Sequence, residues 1–318
     1  MKINKKLLIA VTGLIAILTL GPFLVPVPDL EGTTAPKILA FPDSNFVTIN
    51  NLTIHYKTAG SGDPVMILLH GFGASQFTWQ AVVPELSTAG RVIAYDRPAF
   101  GLTDRPLSWE GINPYSDEVQ VNLVVDLMDE FGFDQAVLIG NSAGGKLATK
   151  TALAFPYRVT ALVLVDAAIY AGGGAPSFVK PLLKTPQMQH IGPLIARRIQ
   201  TSNKFLESAW HDPSKITEET INGYRYPLQV QNWDKALWEL TIASSTSDLE
   251  EELETIQLPV LVLTGDDDRI VPTEQSIQLA EDLPNAELKI LDSCGHLPQE
   301  ECPEAFLDAV LGFLEHLE

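Results

Sequence analysis

Short runs of apolar residues with no polar member recur along this chain, and stretches with helical periodicity separate them. Val65–Leu69, Ala136–Ile139, Ala161–Val165 and Val260–Leu263 are such runs. A strand with water on one face alternates apolar and polar residues. A strand apolar at every position must be covered on both faces, and that is the condition of a parallel sheet. Four or more such strands alternating with helices therefore restrict the chain to the α/β class.

The remaining elements follow from the same reading. Phe46–Ile49 and Leu52–Lys57 are two strands joined by Asn50-Asn51, a hairpin signal. Arg91–Tyr95 and Glu287–Leu291 complete a set of eight strands, mostly parallel, with the first two as the antiparallel edge. Helices are expected over Phe77–Leu86, Ser116–Phe131, Ala143–Ala154, Glu274–Leu283 and Pro303–Leu317, so both faces of the sheet are covered. Ser116 is placed to cap its helix, whose apolar stripe is Val121, Val124, Val125 and Met128.

One segment breaks the alternation. Between Asp166 and Pro259 there is no strand candidate. It opens on Gly172-Gly173-Gly174 and continues with helical stretches rich in Met188, Ile191, Leu194, Ile195, Phe205, Tyr224, Tyr226 and Leu237. Three of the five tryptophans, Trp210, Trp233 and Trp238, are in it. A helical cap over the carboxyl edge of the sheet is expected, because ligands of open α/β sheets bind at that edge. The expected organisation is a core of residues 46–168 and 250–318 with a cap of residues 169–249.

The N-terminus carries a membrane signal. Lys2, Lys5 and Lys6 precede the apolar run Leu7–Val25 of 19 residues. As a helix it would reach about 28 Å, close to the thickness of a bilayer's hydrocarbon. The lysines favour a cytoplasmic start, so the body would be exported. Residues 1–28 are read as a membrane anchor, with a cleaved signal peptide and a secreted product as the alternative, and proline-rich residues 29–45 as a linker.

Charge excludes some partners. The 318 residues hold 21 basic and 40 acidic side chains, a net charge of −19. Such a body repels nucleic acid and admits neutral small molecules more readily than polyanions. Cys294 and Cys302 form no metal-ligand pattern. They read as two ordinary small residues; a bridge between them, which would brace the loop around His296, is the alternative.

The chemistry is carried by Gly140-Asn141-Ser142-Ala143-Gly144, between a buried strand and a helix. That is the context of a nucleophile elbow: a sharp turn exposes Ser142, Gly140 and Gly144 let strand and helix crowd it, and the helix N-terminus faces a developing oxyanion. A serine hydroxyl needs a base. Of six histidines, His296 follows the final strand at the edge where Ser142 stands. His70 begins the loop His70-Gly71-Phe72-Gly73 and is assigned to shaping it. The base needs an anion. Asp268, in Gly265-Asp266-Asp267-Asp268, is the preferred one of three, and Asp166, closing another strand at the same edge, is the alternative. The backbone N–H groups of Phe72 and Ala143 are the expected oxyanion donors.

The segments HGFG (70–73), DRPAFGLTDRP (96–106), GNSAGG (140–145), GDDDRIVP (265–272) and GHLPQEECPEAF (295–306) together resemble the α/β-hydrolase superfamily, in the branch with a helical cap between its sixth and seventh strands. The resemblance covers about residues 44–318. It implies the triad Ser142, Asp268 and His296 and the oxyanion donors Phe72 and Ala143. Haloalkane dehalogenases and epoxide hydrolases share two of these segments but place an aspartate at the elbow. The GNSAGG segment is similar to the elbow of carbon–carbon hydrolases acting on aromatic ring-cleavage products, which usually carry a Trp where this chain has Leu297. The expectation is a serine hydrolase of carboxylic esters of apolar, small to medium substrates, with carbon–carbon cleavage or perhydrolysis as the alternative. A member that binds without turnover is a third possibility. No cofactor or metal is expected.

Overall fold

The structure is a computed structural model and describes residues 5–170, 178–244 and 249–317. Eight strands form one sheet: β1 (Asn45–Ile49), β2 (Leu52–Ala59), β3 (Val65–Leu69), β4 (Arg91–Tyr95), β5 (Ala136–Asn141), β6 (Val159–Val165), β7 (Val260–Gly265) and β8 (Ala286–Leu291). Their spatial order is β1-β2-β4-β3-β5-β6-β7-β8. β1, β2 and β4 pair antiparallel, and every pairing from β4 through β8 is parallel. Asn50 and Asn51, at φ 49° and 64°, make the turn between β1 and β2. A two-residue hairpin of the favoured twist needs positive φ at both positions, and asparagine tolerates it.

Helices α1 (Lys5–Leu20), α2 (Val83–Ala89), α3 (Asp117–Phe131), α4 (Ala143–Ala154), α5 (Lys180–Leu183), α6 (Pro186–Gln200), α7 (Lys204–Ala209), α8 (Glu218–Arg225), α9 (Trp233–Ala243), α10 (Thr273–Asp282), α11 (Pro298–Glu301) and α12 (Pro303–Glu315) complete the chain. Alternate residues of the central strands serve opposite faces. Ile67, Leu69, Leu138 and Leu162 meet Val124, Leu127 and Met128 of α3 and Leu147 of α4. Met66, Leu68, Ile139 and Val163 meet Trp79, Leu86 of α2 and Phe306 and Val310 of α12. Ser116 caps α3 by accepting from the Val119 N–H at 3.3 Å.

Among the described residues between β6 and β7 the chain forms helices α5 to α9 and no strand. The Gly172–Gly174 run lies outside the described residues. The helical segment is fastened to the rim of the sheet. Gln200 Nε2 donates to the Gly73 carbonyl at 2.8 Å, and the His296 N–H donates to the Ala209 carbonyl at 2.7 Å. Gly223 of α8 packs against the Phe77 ring so closely that a Cβ would overlap it.

The expected membrane anchor is corrected. Among the described residues no helix is long and apolar enough to cross a membrane. α1 has 16 residues, which is about 24 Å, against about 30 Å of hydrocarbon. Gly21 and Pro22 end it, and Gly21–Leu24 tightens into a 3₁₀ turn. The extracytoplasmic location argued from this span loses its basis with it. The linker also differs from a free spacer. The Thr34 N–H donates to the Gln229 carbonyl at 2.8 Å, the Gln231 N–H returns to the Thr34 carbonyl at 2.9 Å, and Phe41 packs on Tyr226 at 4.8 Å.

Candidate active site

The carboxyl ends of β5, β6, β7 and β8 bring four side chains to one rim: Ser142, Asp166, Asp268 and His296. Ser142 stands between β5 and α4 at φ 53°, ψ −118°. An L-residue reaches such a conformation only under constraint. The constraint is visible in its neighbours: a Cβ on Gly140 would lie 2.5 Å from the Gly144 backbone, and one on Gly144 would overlap the Leu69 carbonyl. The turn is held by the Ser142 N–H donating to the Val165 carbonyl at 2.9 Å. The first N–H groups of α4, beginning with Ala143, have no intrahelical acceptor.

His296 Nδ1 lies 2.7 Å from Asp268 Oδ2. The other Asp268 oxygen accepts the Ile270 and Val271 N–H groups at 2.7 and 3.0 Å. Asp268 therefore accepts three bonds, one through Oδ2 and two through Oδ1. His296 is 2 % exposed and Asp268 6 %. Ser142 is 9 % exposed, and among the described residues its hydroxyl makes no hydrogen bond, to His296 or to any other group. The three neighbouring aspartates have separate partners. Asp266 accepts the Cys294 N–H at 3.1 Å, and Asp267 meets His211 at 2.9 Å and Arg269. Asp268 alone of the three reaches His296.

On the other side of Ser142 runs the loop His70–Gly73. A Cβ on Gly71 would meet Ser142 Cβ at 3.2 Å, so the loop lies against the elbow. The Phe72 N–H finds no acceptor among the described residues. The His70 ring is fixed from both sides: Nδ1 donates to the Gly71 carbonyl at 2.8 Å and Nε2 accepts the Arg97 N–H at 3.0 Å. Burial and the Arg97 guanidinium push its pKa down to about 4, so it stays neutral. A cavity of about 220 Å³ extends from Phe72 and Gly73 to Phe205 and Leu206 of α7 and Ile221 and Arg225 of α8.

Several supporting residues carry no signal in the sequence reading. Asn141 Nδ2 donates to the His296 carbonyl at 3.1 Å, tying the elbow to the histidine loop. Glu301 accepts the Gly295, His211 and Asp212 N–H groups, each at 2.9 Å, and so joins that loop to the helical segment. Both are polar residues inside recognised motifs, but their partners are backbone groups distant in sequence. Cys294 and Cys302 are joined as a disulfide with Cα atoms 6.2 Å apart. The reading of two ordinary small residues is corrected: the turn into α11 brings them together across His296.

His55 has a relay of its own. Its Nδ1 lies 2.6 Å from Asp96 and its Nε2 2.8 Å from the Ser44 hydroxyl. Burial alone would raise the Asp96 carboxyl, but His55 and backbone N–H donors hold it below its usual range. Ser44 does not line the adjacent cavity of about 690 Å³. This relay anchors loop 96–102 to β2, through the Asp96 bonds to Gln76, Leu102 and His55.

Comparison with known proteins agrees with this geometry. The profile of the alpha/beta hydrolase fold matches residues 64–303. The chain belongs to the α/β-hydrolase family and is a hydrolase. It is 31 % identical over 301 residues, 89 % of this chain and 99 % of the relative, to a 2-hydroxy-6-oxononadienedioate/2-hydroxy-6-oxononatrienedioate hydrolase of Dechloromonas aromatica. A 2-hydroxy-6-oxo-2,4-heptadienoate hydrolase of Pseudomonas putida is 33 % identical over 277 residues, 84 % of this chain and 95 % of the relative. Among solved structures, a meta-cleavage product hydrolase of Pseudomonas fluorescens superposes with a TM-score of 0.68 at 26 % identity, covering 86 % of this chain and 98 % of that one.

Proposed function

We propose that this hydrolase cleaves a carbon–carbon bond next to a ketone in a small conjugated keto acid, with Ser142 as nucleophile. The observation that carries the reading is the similarity, over most of both chains, to hydrolases of 2-hydroxy-6-oxo dienoates. It is supported by an elbow serine beside a buried imidazole–carboxylate pair.

In this reading Ser142 Oγ attacks the ketone carbon and His296 takes its proton. Asp268 holds the imidazole in the tautomer with Nδ1–H and stabilises the imidazolium. The Phe72 and Ala143 N–H groups receive the oxyanion; losing one such donor typically costs about 10²–10³ in rate. A carbon leaving group departs only if its electron pair can be delocalised, so the 2-hydroxy dienoate must first ketonise, its enol O–H losing a proton and the carbon next to the ketone gaining one; the pair released on cleavage then passes into the resulting conjugated 2-oxo acid. His296 then returns the proton to the leaving group. Water, activated by the same imidazole, releases the acyl group from Ser142. His70, Gly71, Gly140 and Gly144 shape the two loops. Residues 169–249 act as a cap on the core of 46–168 and 250–318, closing the cavity above Phe72.

Ester hydrolysis is the second reading, favoured by Leu297, which stands where carbon–carbon hydrolases of this kind usually carry a Trp. The test compares kcat/KM for a 2-hydroxy-6-oxo-dienoate with that for a short p-nitrophenyl ester. A clear preference for the dienoate supports the first reading, and ester turnover without dienoate turnover sinks it. Ser142→Ala should lower either activity at least about 10³-fold; near-normal turnover in that variant removes Ser142 from the mechanism.

A further inference from the structure

Asp166 ends β6 at the rim of the site and is fully buried. One oxygen, Oδ1, accepts the Thr264 hydroxyl at 2.7 Å and the Gly265 N–H at 3.3 Å. The other, Oδ2, is buried and meets no donor among the described residues. One ligating atom each of Asp166, Asp268 and His296 lies within 4.8 Å of the others. Like Ser142, Asp166 has a positive φ, 46°.

Two carboxylates this close, both shielded from water, resist being ionised together. The hydrogen bonds decide which one keeps the charge. Asp268 accepts three bonds, from His296 and the Ile270 and Val271 N–H groups. Asp166 accepts two, one of them long. Its free oxygen therefore carries the proton, and the acceptor within reach is Asp268. Burial, and after it the negative charge of Asp268, push the Asp166 carboxyl well above the ordinary range.

We propose that Asp166 is a positioning residue of the relay: a neutral carboxylic acid whose proton is shared with the Asp268 carboxylate, holding that carboxylate against the His296 ring. The site then carries one negative charge at rest rather than two. The shared proton also weakens the pull of Asp268 on the imidazolium that forms during turnover. The charged groups facing Asp166 are Asp268 and, beyond it, His296. β7 adds the Thr264 hydroxyl. β5 adds the Asn141 amide, which donates to the Val165 and His296 carbonyls. α4 presents Gly145 against Ala167.

The inference rests on Ser142 and His296 as nucleophile and base, but one readout does not. Infrared spectra of the resting protein at about pH 9, above the range of ordinary carboxyls, should contain a protonated carboxyl carbonyl band that Asp166→Asn abolishes. Absence of the band, or its survival in Asp166→Asn, overturns the proposal. So does a stoichiometric metal ion that is lost in Asp166→Asn, because a cation would then neutralise the pair.

The second readout is the rate at which a fluorophosphonate labels Ser142, mapped by peptide, as a function of pH. Asp166→Asn keeps a donor toward Asp268, and its acid limb should coincide with that of the parent. Asp166→Ala removes the donor and exposes His296 to the full charge of Asp268. His296 then holds its proton longer, and the limb should move up by about one pH unit. Equal displacement in both variants, or in neither, overturns the proposal. Failure of the parent protein to label at Ser142 refutes the nucleophile reading instead, and leaves the infrared result standing on its own.

Discussion

At Gly144 the absence of one methyl group decides whether the elbow can form. Helix α4 begins against the end of β3, and a Cβ there would overlap the Leu69 carbonyl and approach the His70 carbonyl within 2.8 Å. Both obstacles are backbone, so no side chain can swing away. Gly144→Ala should therefore push α4 off the strand and move Ser142. We expect a stability loss of about 1–3 kcal/mol and a fall in kcat/KM of at least about 10²-fold, read by chemical denaturation and steady-state kinetics. Unchanged values for both would mean that the turn has slack. Sequence alone reached Gly144, Ser142 and His296 because each belongs to a short contiguous pattern with a fixed geometric meaning. The choice among Asp266, Asp267 and Asp268 is set by where a loop turns, and only Asp268 turns toward His296. The pairing of Asp166 with Asp268 was hidden for a further reason. It depends on the distance between strands β6 and β7 and on which oxygen lacks a donor, and no local pattern encodes either.

Between elements, the contact that most invites a test joins α11 to α8. Glu300 of α11 is half-buried and accepts the hydroxyls of Thr78 and of Tyr224 in α8. Burial pushes its pKa up to about 7, and these two bonds only partly oppose that. A carboxyl with a raised folded pKa contributes stability that is complete below its unfolded value and is lost as pH rises through the folded one. The window here runs from the unfolded value of 4.5 to about 7. Its full span is worth on the order of 3 kcal/mol. Between 4.5 and about 7 the parent should therefore lose stability relative to Glu300→Gln, which stays neutral and keeps an acceptor. Parallel melts across this range decide it: identical slopes for both proteins would show that Glu300 does not carry the effect. Element boundaries were legible where apolar runs were unbroken, as in β3, β5, β6 and β7. The expected helix Phe77–Leu86 is instead a 3₁₀ turn, Gln76–Trp79, followed by α2 from Val83. Pro84 explains the division, since proline is accommodated in the first turn of a helix and not in its interior.

Across the whole molecule, the N-terminal segment divides into two parts with opposite relations to the rest. α1 is exposed at Ile9, Leu14, Ile17 and Leu18, each more than half accessible. Its end and the turn after it meet the helical segment: Gln187 donates to the Thr19 carbonyl at 3.1 Å, His190 Nε2 lies 2.9 Å from the Val25 carbonyl, and Phe23 packs on His190 at 5.6 Å. Residues 29–45 behave differently. Thr34 is bonded on both sides of the Val230 bridge, Tyr226 donates to the Leu39 carbonyl at 2.8 Å, and Ser44 bonds His55. Composition could not separate these parts, because a proline-rich stretch reads the same whether it dangles or is pinned by backbone bonds to distant residues. Two truncations separate them. Removal of residues 1–28 takes away exposed apolar surface and little packing, so the melting temperature should change by no more than a few degrees and solubility should rise. Removal of residues 1–45 also strips Ser44 from His55, Thr34 from Val230 and Phe41 from Tyr226. That variant should melt at least about 5 °C lower. Equal stability of the two truncated proteins would show that the linker's contacts with Tyr226, Val230 and His55 contribute nothing measurable. A large loss already on removing residues 1–28 would mean that the contacts of Thr19, Phe23 and Val25 with α6 outweigh the exposure of α1.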